Sequence, residues 1–229
     1  MYQKFLTARS PVRLLEKGLH GGLGKGNLGL VLAGHGVGKT PFLVGVALDE
    51  LIRGGNVLHV GIDQTVAHTR AHYDTLYDEL VSQAHLDDAA QLHAEIDRRR
   101  SIRAVTSARF SAEKLREAAK LQQEMGSPPA LVILENLDAA RATREELHGL
   151  RALAQELGAE IWLSAACAGE RVDGLPGALA DSRDAFGVVL ALEPDGKHVA
   201  LRALKDHGNP DLGALHVSLD PRTLLLVRS

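Results

Sequence analysis

Ala33-Gly34-His35-Gly36-Val37-Gly38-Lys39-Thr40 places three glycines, a lysine and a hydroxyl within eight residues, directly after the apolar run 28–32 and before the apolar run 42–48. Glycines at this spacing let the backbone curl so that successive N–H groups point inward at an anion. The first turn of the following helix adds its own unpaired N–H groups and its positive dipole end. In such a loop Lys39 reaches the β- and γ-phosphates, and the Thr40 hydroxyl ligates Mg²⁺. The strict pattern has Gly where this chain has Ala33, a sterically mild exchange. Pro41 falls in the helix's first turn, where the N–H it removes has no partner inside the helix. His35 is expected to point outward, because the loop turns its backbone toward phosphate. Gly34, His35, Gly36, Val37, Gly38, Lys39, Thr40 and Pro41 are therefore the candidate nucleotide-binding residues, and the expected ligands are ATP and Mg²⁺.

Two carboxylates complete the chemistry. Leu131-Val132-Ile133-Leu134-Glu135 is an apolar run ending in an acid, and beside a phosphate loop such an acid is expected to hold a metal-bound water. Asp138 is the alternative if the strand runs further. Val57-Leu58-His59-Val60-Gly61-Ile62-Asp63 ends in a second acid, at the sheet edge where open α/β folds bind ligands. Asp63 there either polarises the water that attacks the γ-phosphate or caps the helix that follows, since caps favour aspartate. His68 and His72 lie four apart, but Thr69 stands where a zinc protease has glutamate, and no third ligand is evident.

The elements that must position these groups follow from periodicity. Short apolar runs at 28–33, 56–62, 101–106, 131–135 and 160–164 alternate with helical patterns at 39–53, 65–99, 111–125 and 143–157. Such alternation predicts an α/β fold with a mainly parallel sheet covered by helices on both faces. Beyond Asp184 four further strands, at 186–192, 197–204, 215–219 and 224–227, are joined by turn residues without helices, and antiparallel hairpins at one sheet edge are expected. At 229 residues, 45% apolar and a formal net charge of −3, the chain is expected to fold as one domain at 21–229 after a short lead-in at 1–20. The charge gives no global pull toward nucleic acid or anionic membrane. Cys167 is the single cysteine. No apolar stretch approaches the ~20 residues that span a bilayer and the N-terminus shows no export signal, so a cytoplasmic protein is expected.

Gly21-Gly22-Leu23, Gly26 and Leu28, followed by the phosphate loop, resemble the entry to the RecA-like P-loop ATPases, in the branch of KaiC-type proteins and DnaB-type helicases. The likeness runs from about residue 15 to the end and is most specific between Gly21 and Thr40. It implies that Asp63 stands at the catalytic glutamate, Glu135 at the Mg²⁺-associated aspartate, and Ser164 near a polar sensor of the γ-phosphate. It also implies that Lys205 belongs to a Lys-x-Arg pair reaching into a neighbouring subunit, with His207 in place of the arginine. Both acids are exchanged in length relative to the family. A misplacement of about 1 Å can cost on the order of 10²-fold in rate, so turnover is expected to be slow.

The expected function is ATP binding and hydrolysis coupled to homo-oligomer assembly or to a protein partner. The alternatives are a nucleotide-gated interaction switch with little turnover, a DnaB-like single-strand DNA motor core, and, more weakly, a small-molecule kinase. Nucleic acid is disfavoured because the second loop, 166–184, carries Arg171 and Arg183 against Glu170, Asp173, Asp181 and Asp184, and phosphate backbones are held mainly by Lys and Arg. The first loop, with Arg141 and Arg144 against Asp138, Glu145 and Glu146, is no more basic. Arg98-Arg99-Arg100 with Arg103 is the one basic cluster, and it ends a helix, where cations are favoured in any case.

Overall fold

The computed structural model describes residues 10–86, 88–169 and 171–229. Residues 1–9 of the expected lead-in, and Glu170 of the second loop, lie outside the described residues. The elements are α1 (Pro11–Gly18), β1 (Leu28–Ala33), α2 (Lys39–Ile52), β2 (Val57–Ile62), α3 (Val66–Ala84), α4 (Ala89–Arg99), β3 (Arg100–Val105), α5 (Ala112–Glu124), β4 (Leu131–Leu137), α6 (Arg144–Leu157), β5 (Glu160–Ala166), α7 (Gly177–Asp181), β6 (Val188–Pro194), β7 (Val199–Asp206), β8 (Val217–Leu219) and β9 (Leu226–Arg228). They build one nine-stranded sheet in the order β3-β2-β4-β5-β1-β6-β7-β8-β9. The α/β class and the mainly parallel sheet are as expected.

β1 through β6 run parallel, so their C-terminal ends share one edge. β7 to β9 are antiparallel additions. The strand at 186–192 opens the hairpin set as expected, pairing antiparallel with β7, and on its other side it also pairs with β1 in parallel, Gly29 beside Val188 through Leu32 beside Ala191. Its residues are buried on both faces until Glu193, as a central parallel strand requires.

Side-chain alternation splits the core into two layers. Val31 and Ala33 of β1, with Leu131 and Ile133 of β4, face the layer that α1 to α4 cover. Leu30 and Leu32, with Val132 and Leu134, face the layer covered by α5 and α6. The period of two along a strand fixes this assignment, and it places His59 and Glu135 on the α2 face. Gly29 lies on that face too: a Cβ there would meet the Trp162 ring at 2.5 Å, so only glycine lets the indole lie flat on β1.

Three local departures have physical causes. The single helix expected at 65–99 is two, because His85 takes a left-handed conformation (φ 49°) at the end of α3, a C-terminal stop made without glycine. β4 runs two residues past Glu135 and carries a bulge between Leu134 and Leu137. α1 is not among the expected elements, although Ser10 accepts a hydrogen bond from the Val12 N–H (3.3 Å) and Pro11 opens the helix. That serine-proline pair is a legible start signal. Val12, Leu15 and Leu19 are buried in the same layer as α2, so the described part of the lead-in packs onto the sheet.

Candidate functional site

The loop from Gly34 to Gly38 leaves the end of β1 and enters α2, with Gly36 and Gly38 at φ 74° and 119°. Side chains rarely adopt these angles. Gly38 caps α2 without any side-chain acceptor, and the first turn holds no acidic residue. The helix's first amides and dipole are therefore left for an anion. His35 is exposed, in line with the outward orientation expected for it. Lys39 folds back over the loop, its ammonium donating to the carbonyls of Ala33 (3.1 Å) and Gly34 (2.9 Å). Burial pushes its pKa down, and the nearby Cys167 and Glu135 oppose that shift.

Glu135 stands on the neighbouring face of β4, fully buried. Its Oε2 is 2.9 Å from His59 Nε2, and His59 Nδ1 is 3.0 Å from the Tyr73 hydroxyl. All three side chains have 0% exposure. Burial drives the Glu135 pKa upward, but the His59 hydrogen bond and charge, with the Thr40 hydroxyl, outweigh it and hold the carboxyl below its ordinary range. Burial pushes the Tyr73 phenol well above its ordinary value. The Arg100 guanidinium lies over the Tyr73 ring at 4.5 Å and pairs with Asp97. The chain of contacts locks the acid in one orientation.

Thr40 lies close enough to stabilise the Glu135 carboxylate, yet Oε1 is buried and completes no well-formed hydrogen bond. An orphaned buried carboxylate oxygen beside a hydroxyl suits Mg²⁺, a hard cation that takes few protein oxygens and keeps several waters. Among the described residues no cluster of three or more His, Cys, Asp or Glu could hold a metal alone. Any Mg²⁺ here would therefore rest on Thr40, on Glu135 through water, and on the ligand's phosphates.

Asp63 sits just past β2 with φ 53°. Its Oδ1 accepts the Ser107 N–H at 2.9 Å, and that bond lowers its pKa. It does not cap α3. Thr65 does, its hydroxyl accepting the His68 N–H at 3.1 Å, which removes the helix-cap alternative. Asp138 is exposed and closes a turn onto the Ala140 N–H (3.0 Å). Ser164 is 0% exposed, and its hydroxyl accepts the Asn136 N–H at 3.1 Å.

Lys205 is not brought to this edge. It pairs with Val189 near the start of β6, and its ammonium donates to the carbonyls of Arg183 (2.8 Å) and Phe186. Burial lowers its pKa, with Arg183 and Arg151 adding to the effect. His207 Nε2 is held by the Gly22 carbonyl at 3.0 Å. His68 and His72 touch edge to face, ring centroids 4.8 Å apart. Burial, then His68, lowers the His72 pKa.

Two of the four arginines of the two loops are tied to neighbouring elements, while Arg141 and Arg171 are exposed. Arg183 donates to the Leu204 carbonyl (2.8 Å) and Arg144 pairs with Asp184 (3.1 Å). In the basic cluster, the Arg100 side chain is only 3% exposed. Among the described residues no helix is long and apolar enough to cross a membrane.

Between the Gly34 to Gly38 loop and the ends of β4 and β5 lies a cleft of about 580 Å³ lined by His35, Asn136, Asp138, Cys167 and Pro176. The loop after β5 is tied to the Gly34 to Gly38 loop. The Cys167 N–H donates to the Ala33 carbonyl (3.1 Å), and a Cβ at Gly34 would sit 2.6 Å from the Gly169 carbonyl oxygen. His59, Tyr73 and Asn136 escaped the sequence reading. The available signal was a histidine inside an otherwise apolar strand, because a buried polar side chain needs a partner. No protein-family model and no curated protein matches the chain.

Proposed function

We propose that the chain is an ATP-binding, slowly hydrolysing P-loop ATPase of RecA-like type whose nucleotide state governs association with copies of itself or with a protein partner in the cytoplasm. The observation that carries this reading is the pairing of an uncapped, glycine-entered helix bearing Lys39 and Thr40 with a locked, buried carboxylate, Glu135, which the Thr40 hydroxyl stabilises and whose Oε1 completes no well-formed hydrogen bond. The loop amides and Lys39 bind and orient the triphosphate. Thr40 and Glu135 hold Mg²⁺, which when bound neutralises charge on the β- and γ-phosphate oxygens.

Hydrolysis on this reading is an in-line displacement. A water oxygen bonds to the γ-phosphorus, the bond to the β,γ-bridging oxygen breaks, and ADP departs with that electron pair. Asp63 takes the water's proton. Its carboxylate is kept ionised and oriented by the Ser107 N–H, but aspartate is short for this task, which makes turnover slow.

A switch with little turnover is the second reading, favoured by the close seating of Gly169 on Gly34 and the Cys167 to Ala33 bond. Movement of the phosphate loop would be passed directly to the loop after β5. Steady-state phosphate release, with solution size measured with and without ATP, separates the two. Release above the rate of a Lys39→Ala control supports the ATPase. ATP-dependent assembly without release supports the switch. Neither response in a folded protein contradicts both.

A further inference from the structure

Asn136 combines three features. It is exposed. It holds φ 62°, a left-handed angle uncommon outside glycine. It is also the extra residue of the β4 bulge. By ordinary alternation the residue after Glu135 would turn into the α5 and α6 layer. Leu137 takes that buried place instead, opposite Ala165. A bulge re-aims a side chain in this way, and here it turns Asn136 into the cleft that His35 of the phosphate loop also lines. Among the described residues its carboxamide has no hydrogen-bond partner.

The resemblance puts Ser164 near a sensor of the terminal phosphate, but its buried hydroxyl accepts the Asn136 N–H and so fixes the bulge. We propose that Asn136 is the residue that reads the terminal phosphoryl group, its carboxamide N–H donating to that group from the cleft, and that Ser164 is the positioning residue that holds Asn136 there. The inference rests on the nucleotide-binding reading above. It accounts for a non-glycine residue kept at φ 62° beside the metal-side acid, where strained backbone commonly has a functional reason.

Asparagine also tolerates left-handed turns for purely local reasons, and Asn136→Gly separates the two accounts because glycine keeps the backbone without the carboxamide. ATP and ADP affinities of wild type, Asn136→Gly and Asn136→Asp are measured by calorimetric titration with Mg²⁺, alongside thermal melting. The expected result for Asn136→Gly is a roughly tenfold loss of ATP affinity, ADP affinity unchanged and a melting temperature equal or higher, as loss of one hydrogen bond to a charged group implies. Asn136→Asp should lose more, because it sets a carboxylate against phosphate. Ser164→Ala should weaken ATP preference in wild type and have no further effect on it in the Asn136→Gly background, a non-additivity expected of coupled neighbours. Wild type that binds ATP, with an Asn136→Gly variant of unchanged ATP-to-ADP ratio, overturns this inference alone. Wild type that binds neither nucleotide overturns the nucleotide reading and this inference with it.

Discussion

The two edges of the parallel sheet treat polar side chains differently. At the N-terminal edge the chain satisfies its own groups: Lys205 donates to two backbone carbonyls, His207 is held by Gly22, and His20 Nδ1 lies 2.6 Å from Asp206 Oδ2. Among the described residues, buried atoms without a partner occur there too, Asp206 Oδ1 and Ser182 Oγ among them. At the C-terminal edge the amides that open α2, the Glu135 Oε1 and the Asn136 carboxamide lack such partners. A carboxylate oxygen buried without a partner is costly, and Glu135 Oε1 is such an atom close to the open amides of α2, where a bound ligand would satisfy both. The contrast points to the C-terminal edge as the chemical one and to the other as structural, or as a contact with a second subunit.

The sharpest way to break the contrast is Glu135→Gln. We expect hydrolysis to fall about 10²-fold, ATP binding to persist and its Mg²⁺ dependence to weaken, measured by phosphate release and by titration across Mg²⁺ concentrations. The same substitution tests the buried contact with His59. The Glu135 carboxyl is held below its ordinary pKa in the fold, so its contribution to stability is present above the unfolded carboxylate range and is lost as pH falls through and below that range. Denaturant melts from neutral pH downward should show a shallower acid loss in Glu135→Gln than in wild type. Parallel curves would detach the acid from the fold's pH response.

Asp63→Asn should reduce hydrolysis about tenfold with ATP affinity unchanged, because the proton acceptor is lost while the loop remains. Normal turnover with only a lower melting temperature would reduce Asp63 to an anchor for Ser107. The smallest effect is expected at the other edge. Lys205→Ala should leave the ATP affinity of the isolated chain within about twofold and cost about 1 kcal/mol of stability, the scale of one net hydrogen bond. A large loss of affinity in a monomer would erase the distinction between the edges. A loss of hydrolysis confined to assembled protein would place Lys205 at a neighbouring subunit's site.

The strand, glycine loop and helix at 28–52 were readable because their requirements are local: eight consecutive residues between one strand and one helix. The strands were readable because burial on both faces leaves unbroken apolar runs. What stayed hidden depends on distance or on backbone geometry. His59 meets Glu135 across 76 positions, and Tyr73 reaches His59 from α3. Parallel pairing of β6 with β1 follows from where the chain crosses after Ala185, which a short apolar run does not encode. The bulge that frees Asn136 needs only one extra residue in β4, too small a change to break a hydrophobic pattern. Asp63 shows the reverse failure: aspartate before a helix suggested a cap, while Thr65, two residues on, makes the hydrogen bond.

Calorimetric titration of ATP with Mg²⁺ into wild type and Lys39→Ala tests the central claim most directly. Lys39 is held by loop carbonyls that a triphosphate would replace, and its loss removes a charge-assisted contact without touching the core. We predict saturable binding to wild type, a loss of about 100-fold or more in Lys39→Ala, and closely similar melting of the two proteins without nucleotide. Equal affinity in a folded Lys39→Ala protein would contradict the assignment of the Gly34 to Thr40 loop as the nucleotide site.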